Sequence, residues 1–395
     1  MFVEPTFWAL LAASVLVHWL LPPRFRAAWI ALASFSWLVT RDAAGAVGAA
    51  AGALIFFHVA PYGAGDGPRA RRVVVWLVLA AVAYLAAFKY LPPLLRTLAP
   101  SSALAGLVLP IGISYYTFKL IHYAVESARG NVKDRSLATF LSYILLVPIF
   151  TAGPIERFDH FVAHREERPA VQTFVEGGTR IVHGFVKKFL IADWIVQREL
   201  NDGRTPAELF ADFADVSRGE ARSFLVLSFV YAYFDFAGYS DLAIGTSRLF
   251  GLRILENFDA PLLARNIGTF WKKWHMTLAG WCQSYVYMPT IGMFRNPYIA
   301  VFATFAVMGV WHSGTLNFLA WGLYHATGVC IGLSWNRWRM KRGIRPATTG
   351  PRSWWGILPT MLFVSGSYAF STTDALGIGA ALQLGARAIG FRGTP

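Results

Sequence analysis

The run VVVWLVLAAVAYLAAFKYL, residues 73–91, decides the fold class of this chain. Only one charged side chain, Lys89, interrupts it. A helix of roughly 20 apolar residues is long enough to cross the hydrocarbon core of a bilayer. Similar runs with almost no charge cover residues 5–22, 136–152 and 220–234. Because these runs do not alternate polar and apolar residues, they predict a bundle of transmembrane helices and not a barrel.

The composition of the whole chain agrees with this prediction. Of the 395 residues, 55% are hydrophobic and 15% are charged, whereas a soluble domain carries about 25% charged residues. We therefore predict an all-α polytopic membrane protein with about eleven spanning segments. No repeat or long polar linker divides the chain. Residues 1–395 are expected to form one membrane domain, with N-terminal helices in 1–101, a core in 102–335, and a basic loop with C-terminal helices in 336–395. The first helix is expected to be retained, since acidic Glu4 precedes it.

The net charge of +14 does not predict a nucleic-acid partner. The basic residues lie between apolar runs, as in Arg24 and Arg26, residues 69–72, and residues 337–345. Basic loops between spans mark the cytoplasmic side, which places the N-terminus outside and makes the lipid bilayer the expected partner. Residues 200–220, with Asn201–Gly203 and Asp212, are expected to lie outside the membrane. Cys282 and Cys330 sit in apolar surroundings and are expected to be free packing residues.

Two segments depart from a simple spanning pattern. Residues 102–126 contain Pro110, Gly112, Lys119 and His122, which suits a broken or re-entrant element lining a cavity. Residues 267–290 are predicted to form one interfacial or tilted helix, because aromatic residues beside lysines favour the headgroup level. At helical spacing one face of that helix would carry Trp271, Trp274, His275, Leu278, Trp281, Cys282 and Tyr285.

Ionisable groups in apolar segments are candidates for function, since they are costly within a bilayer. His312 and His275 are the best candidates, because histidine can act as a general base near neutral pH. His325 lies one span later. Each of these histidines could instead hold neighbouring helices together by a hydrogen bond, and for His325 this structural role is favoured.

Other polar residues give weaker signals. Asp235 and Asp241 are six residues apart, so they do not share a helical face. Pairing with Arg248, Arg253 or Arg265 is the favoured interpretation for these carboxylates. The i, i+4 pair His160 and His164 has the spacing of metal ligands, but it lacks a third ligand and lies among charged residues. We expect no metal site.

The sequence resembles a known family, the membrane-bound O-acyltransferases. The similarity is to the bacterial branch that contains alginate O-acetyltransferase and the D-alanyl transferase of teichoic acids. It runs from about Leu109 to Gly328. Five ordered blocks carry it: Leu109–Phe118, Ala152–Arg157, Tyr233–Asp241 continuing to Glu256–Phe258, Phe270–Leu278, and Trp311–Gly322.

The resemblance implies a ring of tilted helices with re-entrant elements around a central tunnel. It assigns catalysis to His312, with His275 as the second active-site histidine. Supporting positions along the tunnel fall on Asp235, Tyr239, Asp241, Trp274, Trp311, Asn317 and His325. In this chain Gln283 and Ser284 stand where the bacterial relatives usually have Arg-Asp.

The function implied is acyl transfer in the bacterial cytoplasmic membrane. An acyl group, acetyl by preference, would pass from a cytoplasmic thioester, acetyl-CoA or an acyl carrier, to a hydroxyl of a cell-surface polysaccharide or wall polymer. A separate extracytoplasmic acyltransferase is a candidate partner, and no tightly bound cofactor is expected. The alternatives are D-alanyl transfer to a teichoic-acid-like acceptor, a transporter or flippase of lipid-linked glycans, and an inactive scaffold of the same fold.

Overall fold

The computed structural model describes residues 1–65, 67–166, 168–200, 206–211, 213–344 and 351–391. Regular secondary structure in these residues is helical, apart from one isolated pairing of extended backbone between Arg165 and Leu252. The predicted helical fold class is thereby confirmed. Asn201–Gly203, Asp212 and Arg345, which the sequence placed in hydrophilic loops, lie outside the described residues.

The chain divides into two compact units, which are described separately. The N-terminal unit comprises residues 1–184 and 239–255, and the C-terminal unit comprises residues 185–238 and 256–395. One long helix supplies residues to both. The single membrane domain expected from the sequence stays a prediction.

The N-terminal unit begins with four long helices and continues with shorter ones. Their bounds are α1 Pro5–Leu20, α2 Pro23–Val39, α3 Ala43–Val59, α4 Pro68–Lys89, α5 Leu91–Leu98, α6 Ile113–Ala128, α7 Leu137–Leu145, α8 Phe158–Ala163 and α9 Val171–Phe185.

The C-terminal unit starts with a π-helix over Val186–Val196 and holds the remaining helices. They are α10 Gln197–Glu199, α11 Pro206–Ala211, α12 Arg218–Arg248, α13 Ile267–Trp271, α14 Met276–Cys282, α15 Met288–Phe294, α16 Pro297–His312, α17 Leu316–Lys341, α18 Ile357–Thr372 and α19 Ile378–Ile389. A second π-helical segment, Gln283–Tyr287, joins α14 to α15. Helix α12 runs on into the N-terminal unit from Tyr239.

Three helical segments among the described residues are long and apolar enough to cross a membrane by themselves: Ala43–Gly63, Pro68–Lys89 and Leu316–Lys341. Helix α4 leaves Trp76 68% and Leu79 50% exposed. A helix that shows large apolar side chains on its outer face is suited to lipid contact. The shorter apolar helices include Pro5–Leu20, Pro297–His312 and Ile378–Ile389. The count of about eleven crossings and the ring around a tunnel stay predictions.

The run 136–152 is not one spanning helix. Helix α7 ends at Leu145, and a short turn over Val147–Ile149 contains Pro148. Nine helical residues extend only about 14 Å, which is half of a bilayer core. The helix ends there because proline lacks a backbone N–H and restricts the residue before it.

The predicted break in residues 102–126 is confirmed at Gly112. This glycine has φ +72°, and a Cβ there would lie 2.6 Å from Phe150. Only glycine fits such a position without strain. Helix α6 then begins at Ile113. Lys119 is fully buried and donates a hydrogen bond from Nζ to the carbonyl oxygen of Tyr143 at 2.9 Å, so protein groups satisfy the buried ammonium.

Candidate active site

The hairpin of α16 and α17 is the framework of the candidate site. A Cβ on Gly309 would lie 2.3 Å from the carbonyl oxygen of Phe318, and one on Gly322 would lie 2.3 Å from that of Phe305. Both distances are too short for any side chain, so the two helices meet backbone to backbone at these glycines. Small residues permit this close approach in membrane helices. The contact fixes the end of α16 against one face of α17.

His312 is the last residue of α16 and is half-buried. Its ring centroid lies 4.7 Å from that of Trp311 and 5.2 Å from that of Trp321 on α17. The C-terminal end of a helix carries partial negative charge, which stabilises a cation. An imidazole in this position is therefore suited to accept a proton.

His275 lies between α13 and α14 in a strained backbone conformation, with φ +41°. Non-glycine residues rarely adopt this region, and strained residues cluster at functional sites. The ring is 3% exposed and lies edge-on to Phe236 at 4.7 Å. Its Nε2 has no hydrogen-bond partner among the described residues. A buried polar atom without a partner costs free energy, so this nitrogen is available to a ligand.

The single helix predicted for residues 267–290 is wrong, and the break explains the position of His275. Helix α13 ends at Trp271 and α14 starts at Met276. The backbone N–H of Met276 donates to Asn257 at 2.9 Å, and that of Asp259 donates to Lys273 at 3.0 Å. These long-range hydrogen bonds replace helical ones, so the chain bends at His275.

His325 lies one turn beyond Trp321 on α17 and is 1% exposed. Its ring centroid is 4.8 Å from that of Trp321 and 5.1 Å from that of Trp271. Its Nδ1 has no hydrogen-bond partner among the described residues. The bonds between helices that the sequence favoured for this histidine are therefore not seen at Nδ1, and its ring packs among aromatic side chains.

The three histidines line one cavity of about 160 Å³ within the C-terminal unit. A water needs roughly 10–15 Å³ of such space, so the cavity has room for a small acyl group. Aromatic side chains form most of its wall. The lining consists of Phe236, Phe270, Trp271, Trp274, His275, His312, Phe318, Trp321, His325, Val364, Ser367, Tyr368 and Ser371.

The lining from α18 was not anticipated from the sequence. Val364, Ser367, Tyr368 and Ser371 recur at the i, i+3, i+4, i+7 spacing of one helical face. Three of the hydroxyl side chains of α18 recur at this spacing, and that pattern is a signal that the sequence does contain. Nothing in the sequence says that this face meets the histidines.

Among the other predicted residues, Trp274 lines the cavity, and Trp311 packs against both His275 and His312. Asn317 is buried and holds α17 to the end of α18. Its Nδ2 donates to the carbonyl oxygens of Phe370 and Thr373, both at 3.1 Å. This amide therefore positions the helix that carries Trp321 and His325.

The two aspartates of α12 pair with cations other than the arginines expected. Asp235, in the C-terminal unit, forms an ion pair with Lys188 of the first π-helix. Asp241, in the N-terminal unit, pairs with Arg180 at 2.7 Å. Asp241 is buried whereas Asp235 is half-exposed, so only Asp241 forms the buried ion pair that was expected, and these two contacts are to Lys188 and Arg180 and not to Arg248, Arg253 or Arg265.

Tyr239, His160 and His164 also lie in the N-terminal unit. The hydroxyl of Tyr239 forms a hydrogen bond with that of Thr151. His160 forms a 2.9 Å hydrogen bond with Glu156 and stacks on His164 at 4.0 Å. Within the described residues, no three His, Cys, Asp or Glu side chains form a group that could hold a metal ion. Cys282 and Cys330 are free and buried, as predicted.

Comparison with known proteins gives the same family that the sequence blocks suggested. The sequence model of the MBOAT family, the membrane-bound O-acyltransferase family, matches residues 24–372 of this chain. The chain is 33% identical over 285 residues to "Probable alginate O-acetylase AlgI" of Pseudomonas aeruginosa, covering 67% of this chain and 52% of that protein. It is 31% identical over 264 residues to "Teichoic acid D-alanyltransferase" of Streptococcus thermophilus, covering 60% of this chain and 61% of that protein.

The chain thus spans about half the length of the alginate relatives that it matches. The family match, in contrast, covers most of the chain, including the whole candidate site from Phe236 to Ser371. The chain therefore belongs to the membrane-bound O-acyltransferase family.

Proposed function

We propose that this chain transfers an acyl group, acetyl by preference, from a thioester to a hydroxyl group, with His312 as general base. One observation carries the proposal: His312 and His275 line the same aromatic cavity. Such a wall excludes the water that would otherwise hydrolyse a thioester. The family membership supports the same class of reaction.

In the proposed reaction, His312 carries one proton from the acceptor hydroxyl to the leaving thiolate. His312 removes the proton from the acceptor hydroxyl, and the oxygen forms a bond to the thioester carbonyl carbon. The tetrahedral intermediate collapses with cleavage of the carbon–sulfur bond. The thiolate then takes the proton from His312. Between these steps the imidazolium is stabilised by its place at the C-terminal end of α16.

His275 is the proposed donor to the oxyanion of the intermediate. Its Nε2, buried without a partner, would donate a hydrogen bond as an N–H to the carbonyl oxygen once that oxygen becomes negative. A preorganised donor of this kind contributes about 10²–10³-fold to the rate. The strained backbone at residue 275 fits a side chain held for a chemical role.

The proposed acceptor is a cell-surface polysaccharide or a wall polymer, and the proposed location is the bacterial cytoplasmic membrane. The donor would be acetyl-CoA or an acyl carrier on the cytoplasmic side, with an extracytoplasmic acyltransferase as a further partner. D-alanyl transfer to a teichoic-acid-like polymer is the second candidate, because a relative of that name has nearly the same identity as the alginate relative. Asp235, Tyr239 and Asp241 are proposed to support the substrate path.

The test is transfer of radiolabelled acetyl from acetyl-CoA to crude surface glycans by the protein in nanodiscs. Wild type is compared with His312→Ala and with the control His58→Ala, which changes an exposed histidine of the N-terminal unit. Loss of a general base predicts a rate at least about 10²-fold lower for the first variant and an unchanged rate for the second. Equal transfer by His312→Ala and wild type would remove this histidine from the mechanism. If wild type transfers no label, a D-alanyl carrier thioester replaces acetyl-CoA as donor.

A further inference from the structure

The second half of the C-terminal unit has an unusual charge distribution. Residues 260–373 contain Lys and Arg side chains but no Asp or Glu. Four of the basic residues end helix α17: Arg337, Arg339, Lys341 and Arg342. This part of the sequence therefore carries basic charge with no acidic residue of its own, which favours an anion as a binding partner.

An apolar groove runs along the same end of the α16–α17 hairpin. It has a volume of about 700 Å³ and is lined mainly by Tyr298, Phe302, Cys330, Ile331, Trp335 and Trp338. From Thr327 to Trp338 the groove follows α17 for about 16 Å, at 1.5 Å per residue. One leaflet of a bilayer core is about 15 Å thick. The groove therefore has the length and the apolar character to hold one acyl chain.

Guanidinium groups lie over the aromatic rings at the edge of the groove. Arg342 lies 4.5 Å from the ring of Trp338, and Arg337 lies 4.9 Å from the ring of Tyr298. Trp335 and Trp338 stack at 4.8 Å. Tryptophan beside arginine is typical of the headgroup level. Guanidinium groups bind phosphate through paired hydrogen bonds, which makes them suited to a phospholipid headgroup.

The preference of cytoplasmic loops for basic residues would by itself explain why these charges are present. It does not explain why two arginines lie on the aromatic residues that border a groove.

We propose that the groove between α16 and α17 binds an anionic phospholipid of the surrounding bilayer. One acyl chain lies along Phe302, Ile331 and Trp335, and the phosphate binds between Arg337 and Arg342. The lipid would brace the hairpin at the end opposite His312. This proposal is independent of the proposed reaction, since binding can be measured without acyl transfer.

The experiment is native mass spectrometry of the full chain in detergent, with phosphatidylglycerol or phosphatidylcholine of the same chain length added. Wild type is compared with R337Q/R342Q and with K133Q/R135Q, which removes two charges from an exposed loop. A basic group near an anionic lipid contributes about a fivefold gain in affinity, so R337Q/R342Q should weaken binding of phosphatidylglycerol roughly 25-fold. The control K133Q/R135Q and wild type should bind phosphatidylglycerol with equal affinity, and both should bind it more tightly than phosphatidylcholine.

A second variant tests the groove separately from the charges. Ile331 is 64% exposed in the groove, so Ile331→Trp fills the groove with little change in the core. It should weaken binding of phosphatidylglycerol although all arginines remain, and inorganic phosphate should not displace the lipid. Equal binding of the two lipids, unchanged binding in both variants, or displacement by inorganic phosphate would overturn the proposal.

Discussion

The substitution Gly322→Ala tests whether the close contact of α16 and α17 sets the geometry of the site. The added Cβ would lie 2.3 Å from the carbonyl oxygen of Phe305. A comfortable carbon–oxygen contact is about 3.3 Å, so the helices must separate by about 1 Å. Overpacking of this kind costs about 1–3 kcal/mol. Because Trp321 of α17 packs against His312 at the end of α16, the position of the proposed base is expected to change as well.

A displacement of about 1 Å can lower an enzymatic rate roughly 100-fold. We expect Gly322→Ala to lower both the temperature of thermal unfolding and the rate of acyl transfer in nanodiscs. Gly332→Ala is the matched control on the same helix, since its Cβ would meet only Ile267, at 3.7 Å. Gly332→Ala should leave the rate of acyl transfer unchanged and should raise the stability of α17 by up to about 1 kcal/mol. The reasoning is refuted if Gly322→Ala behaves as wild type, or if both variants lose activity equally.

Three further predictions concern single residues of the C-terminal unit. His275→Gly should be more stable to unfolding than His275→Ala by about 1–2 kcal/mol, because glycine tolerates the left-handed backbone at φ +41°; equal melting temperatures would contradict this. Asn317→Ala should cost about 1–3 kcal/mol, since it removes the buried donor to the carbonyl oxygens of Phe370 and Thr373; chemical denaturation measures it, and a smaller loss would argue against the bond. Lys188→Met and Asp235→Asn should each destabilise the protein, whereas the double variant should recover part of the loss, because each single variant leaves a partly buried charge without its partner in the pair; additive losses in thermal unfolding would exclude coupling of the pair.

The family and the two principal histidines followed from the sequence. Composition and run length are local properties, so they are enough to predict helices in a bilayer. The five ordered blocks led to the family that the comparison confirmed. They also singled out His312 and His275, which the structure brings to one cavity. Their catalytic roles stay predictions until the variants are measured.

The positions at which helices end were predicted less well. Periodicity over residues 267–290 gave one continuous helix, whereas the chain bends at His275. The bend depends on backbone hydrogen bonds to Asn257 and Asp259. Helical periodicity describes only contacts three or four residues apart, so it contains no sign of these partners.

The choice of ion-pair partners needed the tertiary structure for the same reason. The sequence indicated that Asp235 and Asp241 would find cations, because a lone buried charge is too costly. It could not indicate that Lys188, 47 residues before Asp235, is the nearest one. Likewise, the contact of the hydroxyl face of α18 with the cavity of the histidines, and the groove along α16 and α17, exist only where helices meet. The sequence by itself determined the kind of fold and the kind of chemistry, because apolar runs and family blocks are properties of contiguous residues. Tertiary packing alone decided which side chains share a cavity, because contact between helices depends on residues far apart in the chain.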